Sequence, residues 1–119
     1  MGRRGVTDLV RGRVYGAVLS ERLGEKPYLV VSNNRRNRAL DTVLAVRVTT
    51  SPKPALASIV ATTSDDPIAG HVLCDDIVEV WPDEISRDLG ACSPTTMKRV
   101  GDGLRAALGL AQPVFPPYG

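Results

Sequence analysis

The chain has 119 residues, 43% hydrophobic and 24% charged, which is the size and composition of one soluble globular domain with its own core. Its net charge of +2 is too small to establish a nucleic-acid partner, and its 4% aromatic content is low for a domain that binds proline-rich peptides. No apolar run approaches the roughly 18–20 residues that cross a bilayer, and the first residues lack the apolar stretch of a secretory signal. We therefore expect a cytoplasmic protein.

The first half of the chain predicts three strands. After a flexible lead-in over residues 1–10, Arg11–Leu19 alternates loosely between apolar and polar residues, and Pro27–Ser32 contains a β-branched and aromatic run. Thr42–Thr49 is rich in β-branched residues and predicts the third strand. The intervening segment, Asn33–Ala39, is polar and basic, and we expect it to form a loop.

The second half predicts shorter strands. Ser51–Pro54 carries two prolines that end the third strand, and Ala55–Thr62 forms a fourth. Gly70–Cys74 and Ile77–Trp81 form two more around a corner at Asp75–Asp76. Strands at short, regular spacing with proline and glycine between them predict a small barrel.

The end of the chain predicts one amphipathic helix. Ser93 is its expected N-cap and Pro94 its first residue, and apolar residues then recur every three or four positions up to a C-cap at Gly109. We therefore predict a mainly β domain over residues 11–112 with a C-terminal α-helix near residues 94–108. Residues 113–119 form a tail.

The cysteines and the histidine do not form a metal-binding pattern. Cys74 and Cys92 are eighteen residues apart with no CxxC motif, and His71 is the only histidine. We predict no metal and no cofactor, and we interpret the cysteines as buried free thiols. His71 lies in a short apolar strand, where we expect a structural histidine with satisfied hydrogen bonds.

The stretch from Gly24 to Thr50 concentrates groups that bind phosphate. Lys26 precedes the second strand, the pair Thr49–Thr50 closes the third, and several arginines lie between the two strands. If the strands lie side by side, we expect the lysine, the hydroxyls and the arginine-rich loop to share one patch. The arginines also fit a solvated loop surface, and Asn33–Asn34 also fits a purely structural turn.

Five segments, in this order, resemble the MazF/PemK endoribonuclease toxins: RGRVYGAVL, GEKPYLVVSNN, AVRVTT, HVLCDDIVEV and the closing helix with LGL. The resemblance covers nearly the whole chain. It implies the SH3-like β-barrel of plasmid-maintenance toxins, a CcdB-like fold, usually as a homodimer. It also implies sequence-specific, metal-independent cleavage of single-stranded RNA. A MazE-like antitoxin, with a peptide segment lying in the groove, is the implied neutralising partner.

The resemblance further implies roles for individual residues. The family's catalytic arginine immediately precedes the proline of the second strand, which here is Lys26, and its catalytic threonine falls on Thr49. Glu21 is the candidate for the family's loop glutamate, although this loop is shorter here. Asp76 stands where many relatives carry glutamine. The expected RNA-contacting residues are Arg22, Ser32, Asn34, Arg35, Arg36, Arg38, Thr50, Lys53 and Asp76.

RNA cleavage by the 2′-hydroxyl requires a proton acceptor, a proton donor and donors to the charge that builds on phosphate oxygens. The ammonium of Lys26 can act as an electrostatic clamp or proton donor, although a lysine lacks the planar fork of arginine. The hydroxyl of Thr49 can donate to a phosphate oxygen. The general base stays open, with Glu21 as its candidate.

Two other functions are compatible with the predicted fold. A gyrase-poisoning toxin of the same fold acts through an apolar, tryptophan-bearing surface near its C-terminus, whereas the single tryptophan here, Trp81, lies before Pro82. A non-catalytic SH3-like module would bind a peptide. Incubation with long RNA in EDTA separates both from a nuclease, since only the nuclease leaves fragments with 5′-hydroxyl ends.

Overall fold

The computed structural model describes residues 9–110. Its strands form one antiparallel sheet in the order β4-β5-β3-β2-β1-β6. A short 3-10 turn at Pro82–Glu84 joins β5 to β6. In chain order the elements are β1 (Arg13–Val18), β2 (Glu25–Val30), α1 (Asn34–Ala39), β3 (Val43–Thr49), β4 (Ile59–Ala61), β5 (His71–Val80), β6 (Ile85–Ala91) and α2 (Pro94–Leu108).

The short connection between β5 and β6 requires the sheet to curl. Three strands separate β5 from β6 in the hydrogen-bonded order, so a flat sheet would hold these two strands about 19 Å apart. The connection runs from Val80 to Ile85 and includes the 3-10 turn, which is too compact to cover that distance. The sheet therefore bends round like a barrel wall, although no pairing of β4 with β6 closes it within residues 9–110.

Each face of the central strands has its own apolar cluster. One face carries Leu29, Val46 and Val72 and packs against α2. The other carries Tyr28 and Ala45 and is covered by the curl of the sheet itself. Because successive side chains on a strand point to opposite faces, both faces of β2 and β3 are buried, which explains their nearly continuous apolar sequences.

The predicted helix is confirmed as α2. The Ser93 hydroxyl accepts the Thr96 N–H, and Gly109 ends the helix in a left-handed conformation. Val100 is fully buried against the first cluster. Gly103 allows the helix to approach the sheet closely, because a side chain there would lie 2.7 Å from the Cys74 sulfur.

Four sequence predictions differ from the structure. Asn33–Ala39 is not a loop, since residues 34–39 form α1, capped by the Asn33 side chain. The two strands expected around Asp75–Asp76 are one continuous strand, β5, which has a register shift in its pairing with β3. The fourth strand is shorter than Ala55–Thr62, and β6 was not predicted.

The ends of the chain lie largely outside the described residues. Of the predicted lead-in, residues 1–8 are not described, but Leu9 is buried and packs in the second apolar cluster. The predicted tail is not described. Within residues 9–110, no helix has the length and apolar character needed to span a membrane.

Candidate active site

Lys26 and Thr49 lie on neighbouring strands and on the same face of the sheet. β2 pairs with β3 through Tyr28 opposite Arg47 and Leu29 opposite Val46. Continuing this antiparallel register by two residues places Lys26 opposite Thr49. Residues opposite each other in such a ladder share a face, with Cβ atoms about 5 Å apart.

Pro27 separates Lys26 and Thr49 from the hydrogen-bonded part of the β2–β3 ladder. Proline has no N–H to donate, so it cannot extend the hydrogen bonds between β2 and β3. The pairing of β2 with β3 therefore begins at Tyr28. Lys26 is half-buried. Its ammonium has no hydrogen-bond or ion-pair partner in the described part of the chain, and it is therefore available to an anion.

The Thr49 hydroxyl is oriented with its proton free. It accepts a hydrogen bond of 3.1 Å from the Ser51 N–H, so its own proton remains available to a further acceptor. Gly70 packs against the backbone here, and any side chain at that position would overlap the Thr49 carbonyl oxygen. The end of β3 is thereby fixed by contacts that leave the hydroxyl proton unused.

Two unpartnered polar atoms flank Thr49. Within residues 9–110, Arg47 Nε and His71 Nδ1 are the buried side-chain nitrogen and oxygen atoms that lack a hydrogen-bond partner. Arg47 precedes Thr49 by two residues on β3 and lies on the same face of the sheet. His71 on β5 is the ladder partner of Thr49. Buried polar groups are rarely left unpaired, and such groups in a native structure require an explanation.

Arg47 and His71 were not among the sequence-predicted site residues, and His71 was expected to be a satisfied structural histidine. That expectation is wrong for Nδ1. The period of two along a strand could have identified Arg47, since it lies two residues before Thr49. The position of His71 depends on which strands pair, which the sequence pattern alone does not fix.

Tyr28 lies beside the same group of residues. Burial raises the pKa of its phenol, Arg47 opposes that rise, and Asp76 and Glu84 add to it. Arg47 therefore acts on Tyr28 from the neighbouring strand, while two carboxylates approach from β5 and the 3-10 turn. Asp76 itself is exposed.

The two carboxylates nearest to Lys26 in sequence do not join it. Glu21, the predicted loop glutamate, lies exposed in the turn between β1 and β2. Glu25 adjoins Lys26 but points to the opposite face, where it accepts hydrogen bonds of 2.6 Å from the Ser86 hydroxyl and 2.9 Å from Arg87 Nε. These bonds, with that from Ser86 first, lower the pKa of Glu25.

A cavity of about 210 Å³ lies beside β2. Gly16, Pro27 and Leu89 line it, together with the ion pair between Glu25 and Arg87. These residues belong to the face of the sheet that α2 covers. The cavity is therefore distinct from the place where Lys26 and Thr49 meet, even though Lys26 borders both.

The arginine-rich segment does not join Lys26 and Thr49. Because α1 follows the last residue of β2 and precedes the first of β3, it lies at the opposite end of this strand pair. From Lys26 to Val30 alone, β2 rises roughly 13 Å. The expected single patch of lysine, hydroxyls and arginines is therefore two separate regions.

Several of the expected RNA-contacting residues are used within the fold around α1. The Ser32 hydroxyl donates to Asn37 at 2.5 Å and accepts the Leu44 N–H at 2.9 Å. The Asn34 side chain accepts the Arg11 N–H, and Arg36 donates to the Thr42 carbonyl. The expected residues that are exposed are Arg22, Asn34, Arg35, Arg38, Thr50, Lys53 and Asp76, and of these Asn34 is hydrogen-bonded to Arg11.

The family model of PemK-like, MazF-like toxins of type II toxin-antitoxin systems matches residues 10–108. The chain belongs to this family. The resemblance found in the sequence is thereby confirmed, and the open, curled sheet with its terminal helix is the toxin fold as this chain forms it.

Known toxins are similar over almost their whole lengths. Endoribonuclease MazF4 of Mycobacterium tuberculosis is 41% identical over 104 residues, which are 87% of this chain and 96% of that protein. A mycobacterial endoribonuclease solved in complex with its cognate antitoxin has a TM-score of 0.82 at 41% identity, covering 88% of this chain and 99% of that one. A MazE–MazF structure from Deinococcus radiodurans has a TM-score of 0.72 at 21% identity, covering 87% and 97%, and shows the shared fold.

Neither cysteine of this toxin is disposed for nucleophilic chemistry. Burial raises the pKa of Cys74 and of Cys92 to about 11. Both are free thiols, and at that pKa they stay protonated at neutral pH. Among residues 9–110, no three His, Cys, Asp or Glu side chains are grouped so as to hold a metal ion.

Proposed function

We propose that this toxin is an endoribonuclease that cleaves single-stranded RNA without a metal, leaving a 2′,3′-cyclic phosphate and a 5′-hydroxyl. The relatives at 41% identity are endoribonucleases by name. The observation that carries the proposal is the unpartnered ammonium of Lys26 opposite the Thr49 hydroxyl, whose proton is free. A phosphodiester between these two residues would meet a cation on one side and a neutral donor on the other.

The proposed reaction follows from these groups. The ribose 2′-oxygen attacks the adjacent phosphorus, the bond from phosphorus to the 5′-oxygen breaks, and the leaving oxygen takes a proton from Lys26. Thr49 donates to a non-bridging oxygen, and the guanidinium of Arg47 supplies a second cation on the same face. Donors aimed at developing phosphate charge commonly contribute about 3 kcal/mol each.

Arg47 can supply the guanidinium that is missing at position 26. Lys26 occupies the position of the family's arginine, and a lysine cannot form the two parallel hydrogen bonds that a guanidinium forms with phosphate. Arg47 lies on the adjacent strand, diagonal to Lys26, within reach of a common ligand. We therefore propose that Arg47 forms the paired hydrogen bonds with the phosphate and that Lys26 supplies a single positive charge.

The remaining RNA would contact the exposed side chains. Arg22 and Thr50 lie near the Lys26 end, Lys53 in the loop after β3, Asp76 on β5, and Arg35 and Arg38 on α1. Glu21, the candidate base from the sequence, lies in the exposed turn before β2. We further propose that the toxin is a homodimer in the cytoplasm and that a cognate antitoxin neutralises it. The antitoxin is supported by the mycobacterial endoribonuclease that is similar in sequence and fold and was solved in complex with its cognate antitoxin.

The test is cleavage of a long RNA in EDTA, with 5′-hydroxyl ends mapped by sequencing. The wild-type chain is expected to give discrete ends, and Lys26→Ala to give none. Lys98→Ala removes the same charge from an exposed position on α2 and is expected to cleave like the wild type. Folding of all three is checked by circular dichroism and gel filtration.

Intact RNA with the folded wild-type chain would contradict the proposal. Stalled DNA gyrase in a separate assay with magnesium would then favour a gyrase poison of this fold, and the absence of both activities would favour a peptide-binding module. Cleavage by Lys26→Ala at the wild-type rate would leave the nuclease but remove Lys26 from its site.

A further inference from the structure

We propose that His71 is the general base that removes the proton from the attacking 2′-hydroxyl; this rests on the proposed nuclease function. His71 begins β5 and lies between two strands, opposite Thr49 on β3 and opposite Ala61 on β4. Ladder partners share a face, with Cβ atoms about 5 Å apart. The imidazole therefore stands directly beside the hydroxyl assigned to the phosphate.

The ring is held so that one nitrogen faces outward. Nδ1 is buried without a partner, whereas the residue as a whole is half-exposed. Nε2 is not among the buried unpartnered atoms, and it makes no hydrogen bond within the described residues. It is therefore the accessible nitrogen, on the face that carries Lys26 and Thr49.

None of the carboxylates Glu21, Glu25 and Asp76 has this position. Glu21 is in an exposed turn, and Glu25 is bound to Ser86 and Arg87 on the opposite face. Asp76 is exposed and lies beyond the register shift of β5. Histidine is also the side chain whose neutral form, a proton acceptor, coexists with its charged form near neutral pH.

The charged and titratable groups near the ring come from four elements. Lys26 on β2 and Arg47 on β3 are cations on the same face, and the phenol of Tyr28 lies beside them on β2. Asp75 and Asp76 follow along β5 itself, Glu84 acts on Tyr28 from the 3-10 turn, and β4 presents the neutral Ala61. In the proposed step, neutral Nε2 takes the 2′-hydroxyl proton as the 2′-oxygen bonds to phosphorus. The 5′-oxygen departs with a proton from Lys26, and solvent later returns both groups to their starting forms.

The effect should be moderate. In the part of the chain that the structure describes, no carboxylate or carbonyl accepts a hydrogen bond from Nδ1, so no acceptor there stabilises the imidazolium that forms. General base catalysis contributes about 10²- to 10⁴-fold, and we expect the lower value. Because Nδ1 forms no hydrogen bond in the fold, replacing the ring should leave stability nearly unchanged.

The experiment compares the wild-type chain with His71→Asn and His71→Gln. Single-turnover cleavage is measured from pH 5 to pH 9, and binding is measured with an uncleavable 2′-O-methyl RNA of the same sequence. Both variants are expected to cleave about 10²-fold more slowly at neutral pH and to lose the acidic limb of the profile. Their dissociation constants should stay within about twofold of the wild type, and their melting temperatures should be unchanged. Ala61→Ser is the matched control, since Ala61 is exposed and is the ladder partner of His71 on β4. It is expected to cleave with wild-type kinetics.

A single histidine also permits a direct observation. Nitrogen NMR of the single imidazole, with and without the 2′-O-methyl RNA, is expected to show a change in the chemical shifts of its ring nitrogens when RNA binds. Wild-type rates with the acidic limb retained in His71→Asn and His71→Gln would overturn the proposal, as would a lower melting temperature with an unchanged rate per folded molecule. If Lys26→Ala is inactive in that case, the nuclease assignment stands and only the base is wrong. If the wild-type chain cuts no RNA, the nuclease assignment itself fails.

Discussion

The two ends of the β2–β3 pair differ in how their polar groups are used. At the α1 end, the side chains of Ser32, Asn33 and Asn37 all form hydrogen bonds within the fold. At the other end, Lys26, Arg47 Nε and His71 Nδ1 have no partner in the described part of the chain. The α1 end has more polar residues, but they stabilise the fold. The Lys26 end has fewer, and they are the groups to which a ligand can bind.

This difference shows that composition alone is a poor guide to a phosphate site. The arginines and asparagines around α1 attract attention in the sequence, yet Arg36 is bound to Thr42 and Asn34 caps the backbone of Arg11. A binding site is distinguished by polar and charged groups that have no partner within the fold. The following predictions separate the two ends by function and by stability.

Among the variants that compare the two ends, Thr49→Val should have the largest effect on cleavage. It removes the free proton at the site, so cleavage should fall by about 10²-fold, equivalent to roughly 3 kcal/mol of transition-state stabilisation. The hydroxyl accepts only the Ser51 N–H within the described residues, so the free energy of unfolding should change by less than about 1 kcal/mol. Single-turnover kinetics and urea unfolding measure the two quantities. Thr95→Val, exposed on α2, is the control, and near-normal cleavage by Thr49→Val would remove this threonine from the mechanism.

Asn37→Ala should show the opposite pattern. Asn37 is 2% exposed and bonds both the hydroxyl and the carbonyl of Ser32, so its loss leaves buried groups unpaired. The free energy of unfolding should fall by about 2–3 kcal/mol, while cleavage per folded molecule stays unchanged. Arg38→Ala, exposed on the same helix, should stay within about 0.5 kcal/mol of wild type. A loss of cleavage in folded Asn37→Ala would mean that the two ends are coupled.

Asp66 provides an acid-sensitive control, because its hydrogen bonds are with its own loop and with the start of α2 rather than with the residues of either end. Burial raises the pKa of its carboxyl, but hydrogen bonds from Thr96, Ser93 and Thr63 outweigh burial and lower it overall. A lowered folded-state pKa contributes stability above the unfolded-state value of about 3.9, and that stability is lost as pH falls through the folded value.

Urea unfolding from pH 3 to pH 7 tests this expectation. Asp66→Asn should be less stable than wild type by about 1–3 kcal/mol at pH 7, and the difference should shrink below pH 4. This loss of stability lies below the pH 5 to pH 9 range in which cleavage is measured, so it does not affect the comparison of the His71 variants. Equal stability of the two proteins at pH 7 would contradict the role of Asp66.

The smallest effect should come from the exposed arginines of α1. If Arg35 and Arg38 each contact one phosphate, replacing either by alanine should reduce the salt dependence of RNA binding by a slope of about 0.7. Binding of an uncleavable RNA at several salt concentrations measures this slope. Arg36→Ala is the internal comparison, since Arg36 is bound to Thr42 and should affect stability instead. An unchanged slope for both exposed arginines would leave α1 without a part in RNA binding.

Local sequence patterns predicted the helix and the central strands because caps and β-branched runs act over a few residues. Ser93, Pro94 and Gly109 fix α2 in this way. The helix α1 was missed because its sequence has no apolar spacing, and it depends on Asn33 and Asn37 to join it to the rest of the fold. β6 was missed because it is a half-exposed edge strand with charged residues.

The candidate site could be predicted only in part, for a similar reason. Lys26 and Thr49 follow from the family resemblance and from their positions at strand ends. The contribution of His71 depends on β5 pairing with β3 across more than twenty residues of chain, and no local pattern encodes that pairing. The separation of α1 from the site follows from strand direction, which places a hairpin's connection at the end opposite to its outer termini.

The distance between α1 and Lys26 implies that the enzyme distinguishes RNAs by length. A dinucleotide bound at Lys26 and Thr49 cannot extend to Arg35 and Arg38, which lie beyond the roughly 13 Å rise of β2. Oligonucleotides should therefore gain affinity stepwise as they grow, with a jump once the backbone spans the strand pair, while the cleavage step itself proceeds at one rate. If both regions bind RNA, the shortest RNA that binds with full affinity is thus set by the length of one strand.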